Sequence, residues 1–316
     1  MAWYDESVFY HIYPLGLTGA PAQNDYGEVI HRLPKLLPWI DHIKKIGCNA
    51  IYIGPLFESV GHGYETTDYR TLDRRLGDND DLKEFVRTCH EKGVRVIFDG
   101  VFNHTGRDFF AFKDLQKNRE NSQYKDWYCN VNFGGNNEYN DGFSYDNWGG
   151  YNLLVKLNQW NPQVKDYIYD VIRFWVSEFD IDGIRLDAAD VLDFDFMKGM
   201  RQVANEVKPD FWLMGETLRI LKEKELDPED IRFSPEHLSA LIALQDSRAI
   251  NGAVAKEVFE VMFEEDMDPV SYVEEKGLKT VNDEGALRKT VEEVIANNPQ
   301  SVEDYHNGKE KAIGFL

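Results

Sequence analysis

Carboxylates, a histidine and an arginine stand at the ends of short apolar runs in the first two thirds of this chain. Asp99 and His104 lie in the segment Asp-Gly-Val-Phe-Asn-His, and Arg185 and Asp187 lie in Gly-Ile-Arg-Leu-Asp. Glu216 follows Leu-Met-Gly at the end of a third run. Carboxylates of this kind can act as nucleophiles or as proton donors and acceptors. No comparable set follows Glu216, so half of a site is expected.

The elements that must position these groups alternate between strand and helix. Three stretches with helical spacing, Ile30 to Ile46, Asp80 to Lys92 and Val164 to Phe179, separate apolar runs that predict buried strands. Alternation of this kind indicates parallel strands, and side chains at their carboxyl ends indicate a (β/α) barrel. We therefore predict the first five strands of a (β/α)8 TIM-type barrel. The five runs are Val8 to Leu15, Ala50 to Leu56, Val94 to Phe102, Gly183 to Ala188 and Phe211 to Gly215.

The interval 105–157 breaks this alternation and is rich in Asn, Gly, Tyr and Trp. A structureless loop of such length is improbable in a compact domain, so we predict an inserted subdomain over the rim of the site. Its aromatic residues could stack on sugar rings or could form the subdomain's own small core. Both alternatives stay open for Trp127, Tyr139, Tyr145 and Trp148.

Composition indicates a globular protein with an uncharged ligand. The chain has 316 residues, 42% of them hydrophobic, and 56 acidic against 35 basic side chains give a net charge of −21. Nucleic-acid binding through general electrostatics is therefore disfavoured. Cys48, Cys89 and Cys129 lack metal-ligand spacing and predict free thiols. With no basic leader and no apolar run long enough to cross a bilayer, a cytoplasmic protein without membrane contact is expected.

Residues 1–216 resemble the N-terminal part of an α-amylase-family glycoside hydrolase, in particular the maltodextrin-acting members. The resemblance rests on four blocks in the family's order and on a turn after the second strand. These segments are Asp99 to His104, Leu154 to Asn158, Gly183 to Asp187, Leu213 to Glu216 and Gly63 to Tyr69.

This resemblance implies retaining cleavage of α-1,4-glucans, with Asp187 as nucleophile and Glu216 as acid/base. Arg185 would keep Asp187 ionised, since both lie on one side of the strand; an ordinary buried ion pair is the alternative. His104 would donate to substrate hydroxyls, and Tyr64 would stack beneath the sugar at the cleavage point.

Further family positions have structural roles or show departures. Asp99 resembles a residue that supports the arginine and the nucleophile. Asn103 matches a position that ligates calcium in many members, which makes calcium a candidate ion, although the reaction requires no cofactor. Asp190 and Val191 stand where many members have a Lys-His pair, which favours a short dextrin or cyclodextrin as substrate. The family's third carboxylate, in an Asn-His-Asp block, is not found after Glu216, and His237 and His306 are expected at the surface.

From residue 217 the chain resembles the C-terminal helical region of the tRNA-contacting subunit of aspartyl/glutamyl-tRNA amidotransferase. Apolar positions three and four apart at Ala253 to Phe263 and Gly285 to Ala296 predict small helical bundles. The family's region contacts tRNA, so tRNA is a candidate partner of this tail. Residues 226–316 hold 20 acidic and 9 basic side chains, which leaves contact to local groups such as Lys309 and Lys311. The resemblance is carried by Phe233 to Leu238, Ile250 to Phe259, Val273 to Leu278, Asn282 to Gly285, Asn298 to Val302 and Gly308 to Leu316.

Glu216 fits both families, and we infer a join of two unrelated pieces at this shared sequence, by gene rearrangement, cloning or assembly of sequence reads. The predicted organisation is a partial barrel at 1–104 and 158–216, the inserted subdomain at 105–157 and an all-α tail at 217–316. We expect a truncated α-glucan hydrolase with little or no activity, its open strand edges exposed unless the tail or a homo-oligomer covers them. The alternatives are a tRNA-contacting module and a glucan-binding remnant without turnover.

Overall fold

The computed structural model describes residues 2–216, 233–279 and 298. The chain divides into two compact units, residues 1–222 and 223–316, and each is treated by itself. The predicted helix at Gly285 to Ala296 and the expected surface position of His306 lie outside the described residues. Within the described part, no helix combines the length and the apolar character needed to cross a membrane.

Strands and helices alternate in the described part of the first unit. Its strands are β1 (Phe9–Ile12), β2 (Ala50–Ile53), β3 (Phe57–Ser59), β4 (Thr66–Leu72), β5 (Arg95–Gly100), β6 (His104–Thr105), β7 (Asn147–Trp148), β8 (Tyr151–Lys156), β9 (Gly183–Leu186) and β10 (Trp212–Gly215). Its α-helices are α1 (Pro14–Leu17), α2 (Leu37–Lys45), α3 (Asn79–Glu91), α4 (Phe110–Asn118), α5 (Pro162–Phe179) and α6 (Phe194–Val207). Short 3-10 helices cover Trp3–Glu6, Leu33–Leu36, Arg119–Asn121, Lys125–Trp127 and Ala189–Val191.

The central sheet has five strands in the order β1-β2-β5-β9-β10, and every neighbouring pair is parallel. These are the five strands that the apolar runs predict, and the partial (β/α) barrel is confirmed. β-branched and aromatic side chains of the strands enter one core with the helices that cover them. In that core Trp175 of α5 stacks on Phe57 with ring centroids 4.5 Å apart and donates to the carbonyl of Tyr69.

Helix starts follow capping residues in the sequence. Asp78 caps α3, because its carboxylate accepts from the backbone N–H groups of Asp80 and Asp81. The sequence pattern predicts an Asp cap at about Asp80, two residues later. Asn161 caps α5 in the same way and precedes a proline at the first helical position.

One helix of the first unit, α6, is not among the predicted helices. Its signals are nevertheless in the sequence: Asp193 accepts from the backbone N–H of Phe196 as the N-cap, and Phe196, Met200 and Val203 are buried at helical spacing. α6 packs against α5 and completes the crossover between β9 and β10.

The insertion after β5 has regular structure. Its strands form an antiparallel sheet in the order β6-β8-β7, and α4 and two 3-10 helices lie between β6 and β7. Phe112, Tyr128 and Phe143 are buried together in its core. The ends of the inserted subdomain at 105 and 157 stay a prediction.

The open side of the five-stranded sheet is partly covered at the amino-terminal ends of its strands. Among the described residues β1 and β10 form the two edges, as expected for a partial barrel. However, the rings of Phe9 and Trp212, the first residues of these strands, stack at 4.7 Å, and Tyr4 stacks on Trp212 at 5.6 Å. The expectation of exposed apolar faces is therefore wrong at this end, because aromatic rings from both edge strands cover one another.

The described part of the second unit is helical. It consists of α7 (Pro235–Asp246), α8 (Gly252–Glu264) and α9 (Pro269–Glu275), around a small core that includes Leu241, Val258, Met262 and Val273. Ser234, Asn251 and Asp268 cap the three helices. The predicted helix at Ala253 to Phe263 is confirmed as α8.

Candidate active site

Parallel register brings the four acid and cation positions together. Asp99 on β5 pairs directly with Arg185 on β9, so both side chains lie on the same face of the sheet. Asp187 follows β9 with its N–H on the carbonyl of Gly100, and Glu216 follows β10 with its N–H on the carbonyl of Leu186. The carboxyl ends of three neighbouring strands thus supply the site.

One guanidinium joins all three carboxylates. Nη1 of Arg185 lies 2.8 Å from Oδ1 of Asp99 and 2.7 Å from Oδ1 of Asp187, and Nη2 lies 2.6 Å from Oε2 of Glu216. The same Glu216 oxygen accepts from the backbone N–H of Ala188 at 3.1 Å. Three negative charges against one positive charge favour retention of a proton within the cluster.

The electrostatics correct the expected role of Arg185. Burial, with the neighbouring charges of Asp99 and Glu216, raises the pKa of Asp187 from 3.8 to about 7, although Arg185 acts in the opposite direction. Burial also raises the pKa of Asp99. Arg185 does not by itself keep Asp187 ionised, because its charge is shared among three carboxylates in a poorly solvated place.

The carboxylates open into a cavity of about 370 Å³. Tyr64 and His104, the two proposed substrate-binding residues, both line it with Arg185, Asp187 and Glu216. Burial lowers the pKa of His104 to about 4, so the ring is neutral at pH 7. Its Nε2 is buried and has no hydrogen-bond partner among the described residues, which leaves this atom for a ligand.

Residues that the sequence reasoning missed support the carboxylates from behind. The hydroxyl of Tyr52 donates to Oδ2 of Asp99 at 2.7 Å, and His11 stacks on the Tyr52 ring at 4.2 Å. A Cβ on Gly54, whose φ is +155°, would lie 2.4 Å from Cβ of Asp99, so only glycine allows this approach. A tyrosine within an apolar run resembles core, and no sequence signal separates Tyr52 from core residues.

The surroundings of Asn103 do not fit a calcium ligand. Gln159 accepts the backbone N–H of Asp193 with its Oε1, which directs its NH₂ group toward Asn103. That group donates to Oδ1 of Asn103 at 3.1 Å. A cation needs the oxygen that this N–H already occupies.

The described residues also include one exposed cluster of possible metal-ligand atoms, from His31, Asp78 and Asp81. The two carboxylates cap α3, and Oδ2 of Asp81 contacts Nδ1 of His31 at 2.5 Å. Capping of the helix explains this cluster without a metal.

The four aromatic residues of the insertion have different surroundings. Trp127 and Tyr145 are buried, whereas Tyr139 is exposed and carries the guanidinium of Arg107 3.8 Å from its ring centroid. Trp148 is exposed and lines the carboxylate cavity. Core formation therefore explains two of them, and only Trp148 reaches the candidate site.

His237 needs a correction. The sequence predicts a surface position, but its side chain is 30% exposed and its Nδ1 lies 2.7 Å from Oδ1 of Asp266. Asp266 also accepts from the backbone N–H of Ser234, the N-cap of α7. The histidine is a half-buried part of the second unit's own structure.

A parallel strand–helix sheet with grouped carboxylates at the carboxyl ends of its strands defines a barrel-type carboxylate site. Comparison with known families gives the family. The model for the α-amylase catalytic domain matches residues 35–227, more than half of the chain, and the chain belongs to the α-amylase family.

Curated relatives agree with this assignment. A cyclomaltodextrinase from Bacillus sp is 37% identical over 231 residues, which is 68% of this chain and 41% of that protein. An intracellular maltogenic amylase from Bacillus subtilis is 33% identical over 233 residues, 68% of this chain and 38% of that protein. The chain therefore spans about two fifths of the length of these relatives.

Solved structures are similar over the same part. A cyclic α-maltosyl-(1→6)-maltose hydrolase from Arthrobacter globiformis matches with a TM-score of 0.59 and 27% identity, over 69% of this chain and 52% of that one. A cyclomaltodextrinase structure matches with a TM-score of 0.60 and 32% identity, over 76% of this chain and 44% of that one.

The remainder of the chain matches a second family. The GatB domain model matches residues 195–316 and so overlaps the α-amylase match at 195–227, a stretch that contains Glu216. The GatB-type subunit of aspartyl/glutamyl-tRNA(Asn/Gln) amidotransferase from Agathobacter rectalis is 43% identical over 172 residues, 52% of this chain and 36% of that protein. The resemblance to this second family is confirmed, and its match begins before the predicted boundary at 217.

Proposed function

We propose that the first unit carries a retaining glycoside hydrolase site for α-1,4-glucans, with Asp187 as nucleophile and Glu216 as acid/base. The observation that carries this proposal is the single guanidinium of Arg185, which holds Asp187, Glu216 and Asp99 at the mouth of one cavity. The names of the curated relatives, cyclomaltodextrinase and maltogenic amylase, support the substrate class.

The chemistry divides between the two carboxylates. An ionised Asp187 attacks the anomeric carbon while Glu216, in its acid form, gives a proton to the departing glycosidic oxygen. Water then displaces Asp187 from the sugar, and Glu216 accepts the proton of that water. Arg185 and the N–H of Ala188 both hold Oε2 of Glu216, which assigns the transferred proton to Oε1.

The residues around the carboxylates bind and orient the sugar. Nε2 of His104 is the buried atom that meets a substrate hydroxyl, and Tyr64 forms the floor of the cavity. Asp99, 3% exposed, accepts from Arg185 and Tyr52 and fixes the guanidinium from behind. It acts through Arg185 and does not touch the sugar.

The test is release of reducing sugar from maltotriose and β-cyclodextrin by the purified chain. The proposal expects weak release that Asp187→Asn and Glu216→Gln abolish and that Asp170→Asn, an exposed control, leaves unchanged. Binding of the sugars without any release would leave a glucan-binding protein and refute the hydrolase proposal. Neither binding nor release would refute both.

A second candidate function is tRNA contact by the part that matches the GatB domain. The relative named as a tRNA amidotransferase component supports it. Gel shifts of tRNA by the full chain test the candidate, since binding carried by Lys and Arg weakens steeply as salt rises. Absence of a shift at low salt would contradict it.

A cytoplasmic location and a reaction without a metal cofactor complete the proposal. The intracellular relative and the three free cysteines support the location. The amide contact on Asn103 supports a site without calcium, and chelation with EDTA is then expected to leave activity and unfolding temperature unchanged. Whether a homo-oligomer forms is tested by sedimentation.

A further inference from the structure

The hairpin between β7 and β8 has an unusual tip. Trp148 pairs with Tyr151, and the two residues between them, Gly149 and Gly150, have φ values of +64° and +84°. Two consecutive positive φ values are the signature of a type I′ turn, the tightest connection between antiparallel strands. Two aromatic rings therefore stand side by side at the end of a rigid hairpin.

The register directs both rings toward the carboxylates. Residues paired directly across two strands have side chains on the same face, and both Trp148 and Tyr151 line the cavity that contains Asp187 and Glu216. The Trp148 ring lies 6.1 Å from that of His104. The tip thus forms the outer wall of the cavity, and the carboxylates form its inner end.

Packing of the insertion does not explain these rings. Trp148 is 41% exposed and Tyr151 is 64% exposed, whereas the aromatic core of the insertion consists of fully enclosed rings such as Phe112 and Phe143. Exposed tyrosine and tryptophan grouped beside a cavity mark a binding surface more often than a structural one. A single exposed ring elsewhere, such as Trp160, needs no such explanation.

We propose that Trp148 and Tyr151 form a sugar-stacking subsite that holds a glucose unit next to the unit at Asp187. The C–H groups on one face of a pyranose ring are weakly positive and match the negative face of an aromatic ring. The inference rests on the proposed function. It adds residues that decide how a glucan of several units binds, because a single sugar at the carboxylates does not extend to the tip.

The test is calorimetric titration of the full chain with maltoheptaose, for the parent and for Trp148→Ala, Tyr151→Ala and Trp160→Ala. Trp148→Ala is expected to weaken binding about tenfold, which corresponds to about 1.4 kcal/mol. Tyr151→Ala is expected to weaken it to a similar extent, and Trp148→Phe, which keeps a ring, to weaken it less. Trp160, as exposed as Tyr151 but absent from the cavity wall, is the matched control and should bind like the parent.

The outcomes separate this inference from the function on which it rests. If the parent binds maltoheptaose and Trp148→Ala binds equally well, the stacking subsite is wrong and the proposed function stands. Equal weakening by Trp160→Ala would likewise overturn the subsite. If the parent binds no maltoheptaose, the proposed function fails and this inference fails with it.

Discussion

Asp187→Asn is expected to make the first unit more stable, although it removes the proposed nucleophile. The side chain is 11% exposed and shares one guanidinium with two other carboxylates. A folded-state pKa of about 7 against 3.8 means that ionisation costs more in the folded than in the unfolded chain. At 1.36 kcal/mol for each pKa unit, the cost at high pH is roughly 4 kcal/mol.

The sign of the effect follows from the raised pKa. Below pH 3.8 both states carry the proton and the cost is absent; between pH 3.8 and about 7 it grows, and above pH 7 it is complete. Asparagine carries no charge and still offers an oxygen to Arg185. We therefore expect the variant to gain about 1–3 kcal/mol at pH 8, less than the full cost because a neutral acceptor binds a guanidinium more weakly than a carboxylate does.

Tryptophan fluorescence during urea unfolding measures the first unit alone, because all seven tryptophans lie between residues 3 and 212. The gain should be present at pH 8 and small at pH 4.5. Asp170→Asn, at an exposed position paired with Arg173, is the matched control and should change stability by less than about 1 kcal/mol. A variant that is less stable than the parent at pH 8, or a gain that does not depend on pH, would refute the assignment of Asp187 as a strained carboxylate.

Two further predictions concern residues behind the site. Asp182→Asn should destabilise the first unit by about 3–5 kcal/mol in the same urea assay, because a carboxylate 1% exposed accepts from His90, Arg95 and the N–H of Val96. Although burial opposes them, these contacts lower the pKa of Asp182, so the stability it contributes is present above pH ~3.9 and lost as pH falls below that value; an equal effect at pH 8 and pH 2.5 would contradict this reading. Gly54→Ala should displace Asp99 and reduce sugar release at least tenfold, whereas Gly47→Ala, also at positive φ but with open space around its Cβ, should cost only the backbone strain of about 1 kcal/mol; equal activity of the two variants would show that the close approach to Asp99 is unimportant.

The sequence predicts the elements whose residues carry both local and chemical signals. The five strands of the sheet are short apolar runs that end in polar residues, and both patterns locate them. α6 escapes prediction although Asp193 and the spacing from Phe196 to Val203 mark it, since no chemical group draws attention to that stretch. The antiparallel sheet of the insertion is not predicted in detail, because its strands are as short as two residues.

Within the site, identity is easier to predict than electrostatics. The carboxylates and Arg185 stand in recognisable blocks, and parallel register then requires that they meet. The raised pKa of Asp187 depends on how one guanidinium is divided among three carboxylates and on burial, and neither is written in local sequence. The same holds for Tyr52, whose role is visible only once β2 and β5 are paired.

The most direct measurement for a retaining site is covalent labelling by 5-fluoro-α-glucosyl fluoride, followed by intact mass and peptide mapping. Fluoride leaves the anomeric carbon without help from an acid, and the fluorine on the ring slows hydrolysis of the sugar–carboxylate ester, so one turnover is enough for detection. The expected result is one sugar on Asp187, at a rate that rises as pH increases through about 7, because only the ionised carboxylate attacks. Glu216→Gln should still be labelled, and Asp187→Asn should not. A label on another residue, or an unlabelled chain that nevertheless releases sugar from maltotriose, would contradict the assignment of Asp187 as the nucleophile.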